Sequence, residues 1–196
     1  MDTPDGEIHP GLFDEGRERV HELVDELDAY FTDQFHNEHH LEGYRPLGAE
    51  IVADCPTITD FVMGVGTGGG AIGTAAGIRE ERDDVTVTVV EPSEASMMTM
   101  PSEGDSGSHT VEGVGLGIDP PFVEADQFDD AIAVPEETAY RTADQIARND
   151  GVFAGTSTGL NVAAAVEVAR GRDPTDAVVT IAVDTGLKYL LGDLYR

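Results

Sequence analysis

Seven glycines, Gly64, Gly66, Gly68, Gly69, Gly70, Gly73 and Gly77, crowd fourteen consecutive positions behind the apolar run Phe61-Val62-Met63. Glycine weakens a helix by about 0.5–1 kcal/mol per position, so such a density implies a requirement. Between a strand and a helix, glycines let backbone N–H groups come close to an anion, and the helix N-terminus adds partial positive charge. A phosphate held at Gly66-Thr67-Gly68-Gly69-Gly70 is the chemistry this pattern fits; a tight, ligand-free strand–helix turn is the alternative. Gly64-Val65-Gly66-Thr67-Gly68-Gly69 also satisfies GxGxxG. Glu91 ends the next strand about where a ribose-binding acid would sit, so an NAD(P)-binding Rossmann-type domain is a second reading.

A second constellation is Gly155-Thr156-Ser157-Thr158-Gly159, again placed between a strand and a helix. Any of its three hydroxyls could cap the helix. Alternatively, one of them is aimed at a ligand heteroatom at the carboxyl edge of the sheet, where α/β proteins bind their ligands. The same residues satisfy GxSxG, but a hydrolase built on Ser157 needs a downstream histidine, and the last histidine is His109. His36, His39 and His40 with Glu38 could ligate zinc, yet no spacing enforces it and a polar loop is expected. Met97, Met98 and Met100 could line an apolar pocket, though loop packing suits them better. Cys55 shows no sign of activation and reads as inert.

Alternating elements must position these groups. Leu12, Val20, Leu23, Val24, Leu27 and Tyr30 recur at helical spacing over residues 12–31. A short helix is predicted over 44–54, and a strand enters the glycine run. A small-residue helix continues from there to about Arg82. Val85-Thr86-Val87-Thr88-Val89-Val90 is β-rich on both faces, as in a buried parallel strand. Residues 93–120 lack any period and read as a long loop. Strands are predicted at 130–134, 152–155 and 177–183, with helices at 136–149 and 158–170. This alternation predicts an α/β fold, three-layered, with a mostly parallel sheet and helices on both faces.

Composition narrows the function classes. The 196 residues carry 39 Asp plus Glu against 11 Lys plus Arg, a net charge of −28. Such a chain repels nucleic-acid phosphates and anionic membrane surfaces. No apolar run approaches the ~20 residues of a bilayer span. Met1-Asp2-Thr3-Pro4-Asp5-Gly6-Glu7 has neither a basic nor an apolar leader region, so a cytoplasmic protein is expected. The single cysteine excludes an intrachain disulfide. With 40% hydrophobic residues a core is affordable, so the acid belongs on the surface. At about 1 M salt the screening length falls to about 3 Å, which points to a halophilic setting.

Taken together, the motifs resemble the fold type II pyridoxal-phosphate enzymes, specifically the cysteine synthase and cystathionine β-synthase family. Asp33-Gln34-Phe35-His36-Asn37 with Gly43-Tyr44-Arg45-Pro46-Leu47-Gly48-Ala49-Glu50-Ile51 resembles the family's QF-N segment and G-x-E-I helix. The glycine run resembles its phosphate loop, Val90-Glu91-Pro92 its V-E-P strand end, and His109 to Gly117 its H-x-I-x-G-I-G-x-G loop. Gly155 to Gly159 and Asp184-Thr185-Gly186-Leu187-Lys188-Tyr189-Leu190 are similar to its last two signatures. The resemblance implies a tryptophan synthase β-like fold and pyridoxal 5'-phosphate as cofactor. Gly66, Thr67, Gly68, Gly69 and Gly70 would hold the phosphate, and Ser157 would bond the pyridine nitrogen. Gln34, Gly113 and Gly115 would flank a small amino-acid substrate. The implied reaction is β-replacement on O-acetylserine or serine, giving cysteine or cystathionine. A neutral hydroxyl at the ring nitrogen suits that chemistry.

Two departures qualify it. Gly70 stands where the family usually carries Thr or Ser. The family's Schiff-base lysine segment matches nothing here; Lys188, the only lysine, falls in the C-terminal signature and is expected to be structural. The resemblance starts about two-fifths along the family pattern. Residues 1–41 therefore read as a remnant of the N-terminal domain and 42–196 as the phosphate-binding domain of a truncated member. A misplaced start, a split gene or a degenerate copy would each produce this. The chain is expected to be inactive alone and to work as a homodimer or with a partner supplying the N-terminal half. A non-catalytic regulatory or partner protein is the remaining alternative.

Overall fold

The computed structural model describes residues 10–96, 98, 108–117 and 119–196, with the side chains of 10–15 excepted. The leader-region reading at Met1–Glu7 and the pocket reading of Met97 and Met100 lie outside the described residues. Two compact units are present, Met1–Asn37 and Glu38–Arg196.

The first unit contains α1, Pro10–Leu27, four residues shorter than predicted at its C-terminal end. The chain then closes a turn in which the N–H groups of His36 and Asn37 donate to Asp33 O, at 3.0 and 2.9 Å. Gln34 is exposed in this turn. The His36 ring, 2.9 Å from Asp33, holds that carboxyl below its ordinary range, assisted by Arg17.

The second unit runs α2 (His39–Asp54), β1 (Ile58–Gly64), α3 (Gly69–Glu81), β2 (Thr86–Pro92), β3 (Asp130–Val134), α4 (Glu136–Asp150), α5 (Thr156–Arg170) and β4 (Ala177–Thr180). The four strands form one parallel sheet in the order β3-β2-β1-β4. Phe61 pairs with Val87 and Val62 with Thr88, so alternate residues face opposite sides. Ile58, Phe61 and Val87 pack with Ala75 and Ile78 of α3, while Val62, Val90 and Val134 pack with Leu160 and Ala164 of α5. Both faces are therefore covered by helices, the expected three-layer α/β fold. Asp60, 1% exposed on β1, is bound by the Arg172 guanidinium through Nε at 3.0 Å and Nη2 at 2.6 Å.

In the second unit three predicted elements differ. α2 begins five residues before the predicted 44, because Pro46 and Gly43, both poor helix formers, sit inside it. Residues 152–155 form no strand: only Ala154 pairs, in an isolated antiparallel bridge to Thr185. The last strand ends at Thr180, three residues early.

The glycines also divide by task. A Cβ on Gly73 would lie 2.6 Å from Leu41 O and 2.8 Å from Tyr44 Cβ; on Gly77 it would overlap Arg45 O, and on Gly48 it would overlap Thr74 O. These three let the backbones of α2 and α3 pack directly together, a role separate from anion binding.

Candidate functional site

The carboxyl edge of the sheet holds a cavity of about 180 Å³. That is below the ~300–1,000 Å³ of a complete drug-sized site, and suits one end of a ligand. β1 ends at Gly64, whose N–H donates to Asn161 Oδ1 at 2.7 Å. The chain then turns through Gly66 and Thr67 to Gly68, which caps α3 with φ +92°, a conformation that favours glycine. A Cβ on Gly66 would overlap Gly113 O, so only a bare backbone fits the cradle there. The first turn of α3 presents N–H groups that have no carbonyl partner within the helix.

Across the cavity, the Gly155–Gly159 turn uses its hydroxyls selectively. Thr156 Oγ1 accepts from the Glu112 N–H at 3.2 Å, and Thr158 Oγ1 accepts from the Val183 N–H at 3.0 Å. Neither caps α5, whose N-cap is Gly155. Ser157, 4% exposed, lines the cavity and its hydroxyl has no hydrogen-bond partner among the described residues.

The third wall is the loop around Gly113. Its φ of +81° and the +58° of Gly115 need glycine. The Gly115 N–H donates to Val65 O at 3.0 Å, tying this loop to the phosphate turn. His109 Nδ1 accepts from the Val111 N–H at 3.2 Å and its Nε2 donates to Gly115 O at 2.7 Å. Both ring nitrogens are thus spent on the backbone, which removes the only histidine of this loop as a base for Ser157.

Of the residues singled out from sequence, Gly66, Thr67, Gly68, Gly70, Gly113 and Ser157 line this cavity. Gly69 turns toward His40, Gly115 packs on Pro92 and His109, and Gln34 belongs to the first unit. Lys188 stands just outside: its ammonium pairs with Glu112, a lining residue, and lies 3.8 Å from Asp184. The Glu112 carboxylate raises the lysine above its ordinary pKa of 10.5. Asp184 in turn accepts from Tyr189 OH at 2.8 Å and from the Gly155 N–H at 3.1 Å. Burial is the main cause pushing the Tyr189 phenol upward.

Tyr44, Met63, Glu112, Asn161 and Val183 also line the cavity and were not picked as site residues from sequence. Asn161 had a signal, being a lone amide within the apolar stretch Leu160 to Val166. Tyr44 and Glu112 sit inside the segments that resemble the family's, without being singled out there; Met63 and Val183 carry no signal, because their approach is tertiary. Glu91 is 2% exposed and its carboxylate accepts from the Met98 N–H at 3.0 and 3.1 Å. An acid turned inward in this way does not serve a ribose hydroxyl. Among the described residues no group of three or more His, Cys, Asp or Glu could hold a metal ion, and no helix is long and apolar enough to cross a membrane.

The site therefore combines a parallel α/β sheet, a glycine turn at a helix start and the Ser157 hydroxyl in one cavity. Residues 5–184 match the family described as pyridoxal-phosphate dependent enzyme. The chain belongs to that family, whose members depend on pyridoxal phosphate. It is 32% identical to a probable cysteine synthase of Bacillus subtilis over 98% of this chain and 62% of that protein. It is 32% identical to cysteine synthase B of Campylobacter jejuni over 88% of this chain and 57% of the relative. Among solved structures, an O-acetylserine dependent cystathionine β-synthase from Helicobacter pylori superposes with TM-score 0.84 at 30% identity, covering 92% of this chain and 58% of that one. An O-ureido-L-serine synthase superposes with TM-score 0.83 at 30% identity, covering 92% and 57%. The chain thus spans about three-fifths of the length of the relatives it matches.

The residues present fit the family's cofactor. The cradle at Gly66 admits no side chain, the helix start favours a dianion, and Ser157 keeps a free hydroxyl at the far wall.

Proposed function

We propose that this chain is the phosphate-binding part of a cysteine-synthase-like enzyme, acting in β-replacement on O-acetylserine or serine to give cysteine or cystathionine. The observation that carries the reading is the glycine turn at the start of α3, facing the unengaged Ser157 hydroxyl across one cavity. When bound, pyridoxal phosphate supplies an electron sink for bond cleavage at the substrate. The backbone N–H groups of Gly66 to Gly70 bind its phosphate, and Thr67 adds a hydroxyl. Ser157 orients the ring by bonding the pyridine nitrogen without placing a charge there. The Gly113 loop, fixed to Val65 through Gly115, bounds the substrate side. In this reading residues 42–196 hold the cofactor, and residues 1–41 are a remnant of the family's N-terminal domain.

Lys188 is structural in this proposal. Its ammonium pairs with Glu112 and lies 3.8 Å from Asp184, and it falls in the C-terminal signature rather than in the family's lysine segment, so in this reading the polypeptide alone forms no covalent link to the cofactor and turns over no substrate. In this reading a polypeptide carrying the family's N-terminal lysine segment would supply the Schiff-base lysine. Calorimetry on the 196-residue chain in molar KCl is the test. Pyridoxal phosphate binds, pyridoxal binds at least about tenfold more weakly for want of the phosphate, and NAD does not bind. Tighter binding of NAD would replace this reading with the Rossmann one. Cysteine formation from O-acetylserine and sulfide by the chain alone would overturn the structural role of Lys188.

A further inference from the structure

The close packing of α2 on α3 brings one more hydroxyl to the cradle. With Gly73 and Gly77 bare, α2 lies directly against the first turns of α3, and Tyr44 projects to the cavity wall. A Cβ built on Gly70, the second residue of α3, would lie 3.8 Å from Tyr44 Cζ, the carbon that bears the phenol oxygen. The phenol therefore stands beside the N–H groups that the helix start offers to an anion.

Among the described residues the other polar side chains lining the cavity are Thr67, Glu112, Ser157 and Asn161. Asn161 uses its Oδ1 on the Gly64 N–H and its Nδ2 on Ile181 O. Thr67 Oγ1 accepts from the Gly69 N–H at 3.4 Å. Ser157 lies on the opposite wall, by the Gly113 loop. Among the described residues no Lys, Arg or His lines the cavity, and the one charged group there, Glu112, is an anion. A bound phosphate must then be satisfied by neutral donors. Tyr44 is 41% exposed, and its hydroxyl has no hydrogen-bond partner among the described residues.

We propose that Tyr44 is a phosphate ligand of this site, its phenol O–H donating to a phosphate oxygen of the group held at the start of α3. The proposal rests on the cofactor reading above and adds a donor from α2 to those of the glycine turn. Hydrogen bonds to charged acceptors contribute more than neutral ones, so the loss is measurable.

The test compares the wild-type 196-residue chain with Tyr44→Phe, titrated by calorimetry with pyridoxal phosphate and with pyridoxal. The phenylalanine keeps the ring against α3, and matched thermal melts confirm an intact fold. Tyr44→Phe is expected to weaken pyridoxal phosphate about tenfold and to leave pyridoxal unchanged. Unchanged affinity for pyridoxal phosphate would overturn the proposal while leaving the cofactor reading in place. Equal losses for both ligands would also overturn it, since the ring would then be acting through packing. A wild-type chain that does not prefer the phosphorylated ligand would remove the cofactor reading and Tyr44's role with it.

Discussion

At the scale of single residues, the cavity depends on how few of its polar groups stay uncommitted. Thr156 and Thr158 are both consumed by backbone N–H groups, leaving Ser157 for a ligand. The motif located all three hydroxyls but could not rank them, because the choice depends on Glu112 and Val183, 44 and 25 residues away. The family pattern alone suggests a structural Lys188; the structure pairs its ammonium with Glu112. Replacing it with methionine leaves the Glu112 carboxylate uncompensated at the cavity wall. Binding of pyridoxal phosphate to Lys188→Met should weaken about threefold at low salt, an exposed pair being modest, with the difference fading in molar KCl. The pairing raises the lysine's pKa, so its stabilisation is fully present below about 10.5 and lost only as pH climbs through the raised value. The wild-type advantage should therefore be flat from neutral pH to about 10, read by titrating both proteins across that range.

At the scale of elements, the glycine turn at the start of α3 is positioned by a helix pair whose contact is glycine to backbone. Gly77→Ala places a methyl group onto Arg45 O, which is main chain and has little room to yield. A loss of about 3 kcal/mol is expected, lowering the melting temperature by about 6–12 °C. Weaker pyridoxal phosphate binding should accompany it, because the helices must part where Tyr44 meets Gly70; melts and calorimetry on the variant check both. The glycine density was visible in the sequence, and the turn into α3 requires glycine at Gly66 and Gly68. Its downstream half belongs to packing against α2, which no local pattern announces, since α2 is itself disguised by Gly43 and Pro46. The strand order was less legible than the strands. Residues 152–155 have β-forming side chains, yet they lead into α5 with only Ala154 paired, because tertiary pairing overrides local propensity.

At the scale of the molecule, a net charge of −28 sets the conditions under which any of this is measurable. Few of the 39 acids can meet one of the 11 basic residues, and several cations sit in local clamps such as Arg82–Asp84 and Arg148–Asp144. Unscreened repulsion should therefore dominate in dilute buffer. Unfolding in urea should show stability rising between 0.1 and 2 M KCl, as the screening length falls from about 10 Å to under 3 Å. Equal stability across that range would remove the halophilic reading. The paired acids act in the ordinary sense. Asp84 and Asp144 are held below their usual pKa by Arg82 and Arg148, so what they contribute is present above about 3.8 and is lost as pH falls through the lowered values. One last consequence follows from the placement of Lys188. Because the whole chain has a single side-chain amine, and that amine pairs with Glu112 at the wall of the cavity, reductive methylation with isotope-labelled formaldehyde would install one NMR-visible reporter there besides the one on the α-amino group. Its chemical shift would register ligand entry at Glu112 directly, in a protein that otherwise offers such reagents almost nothing to label.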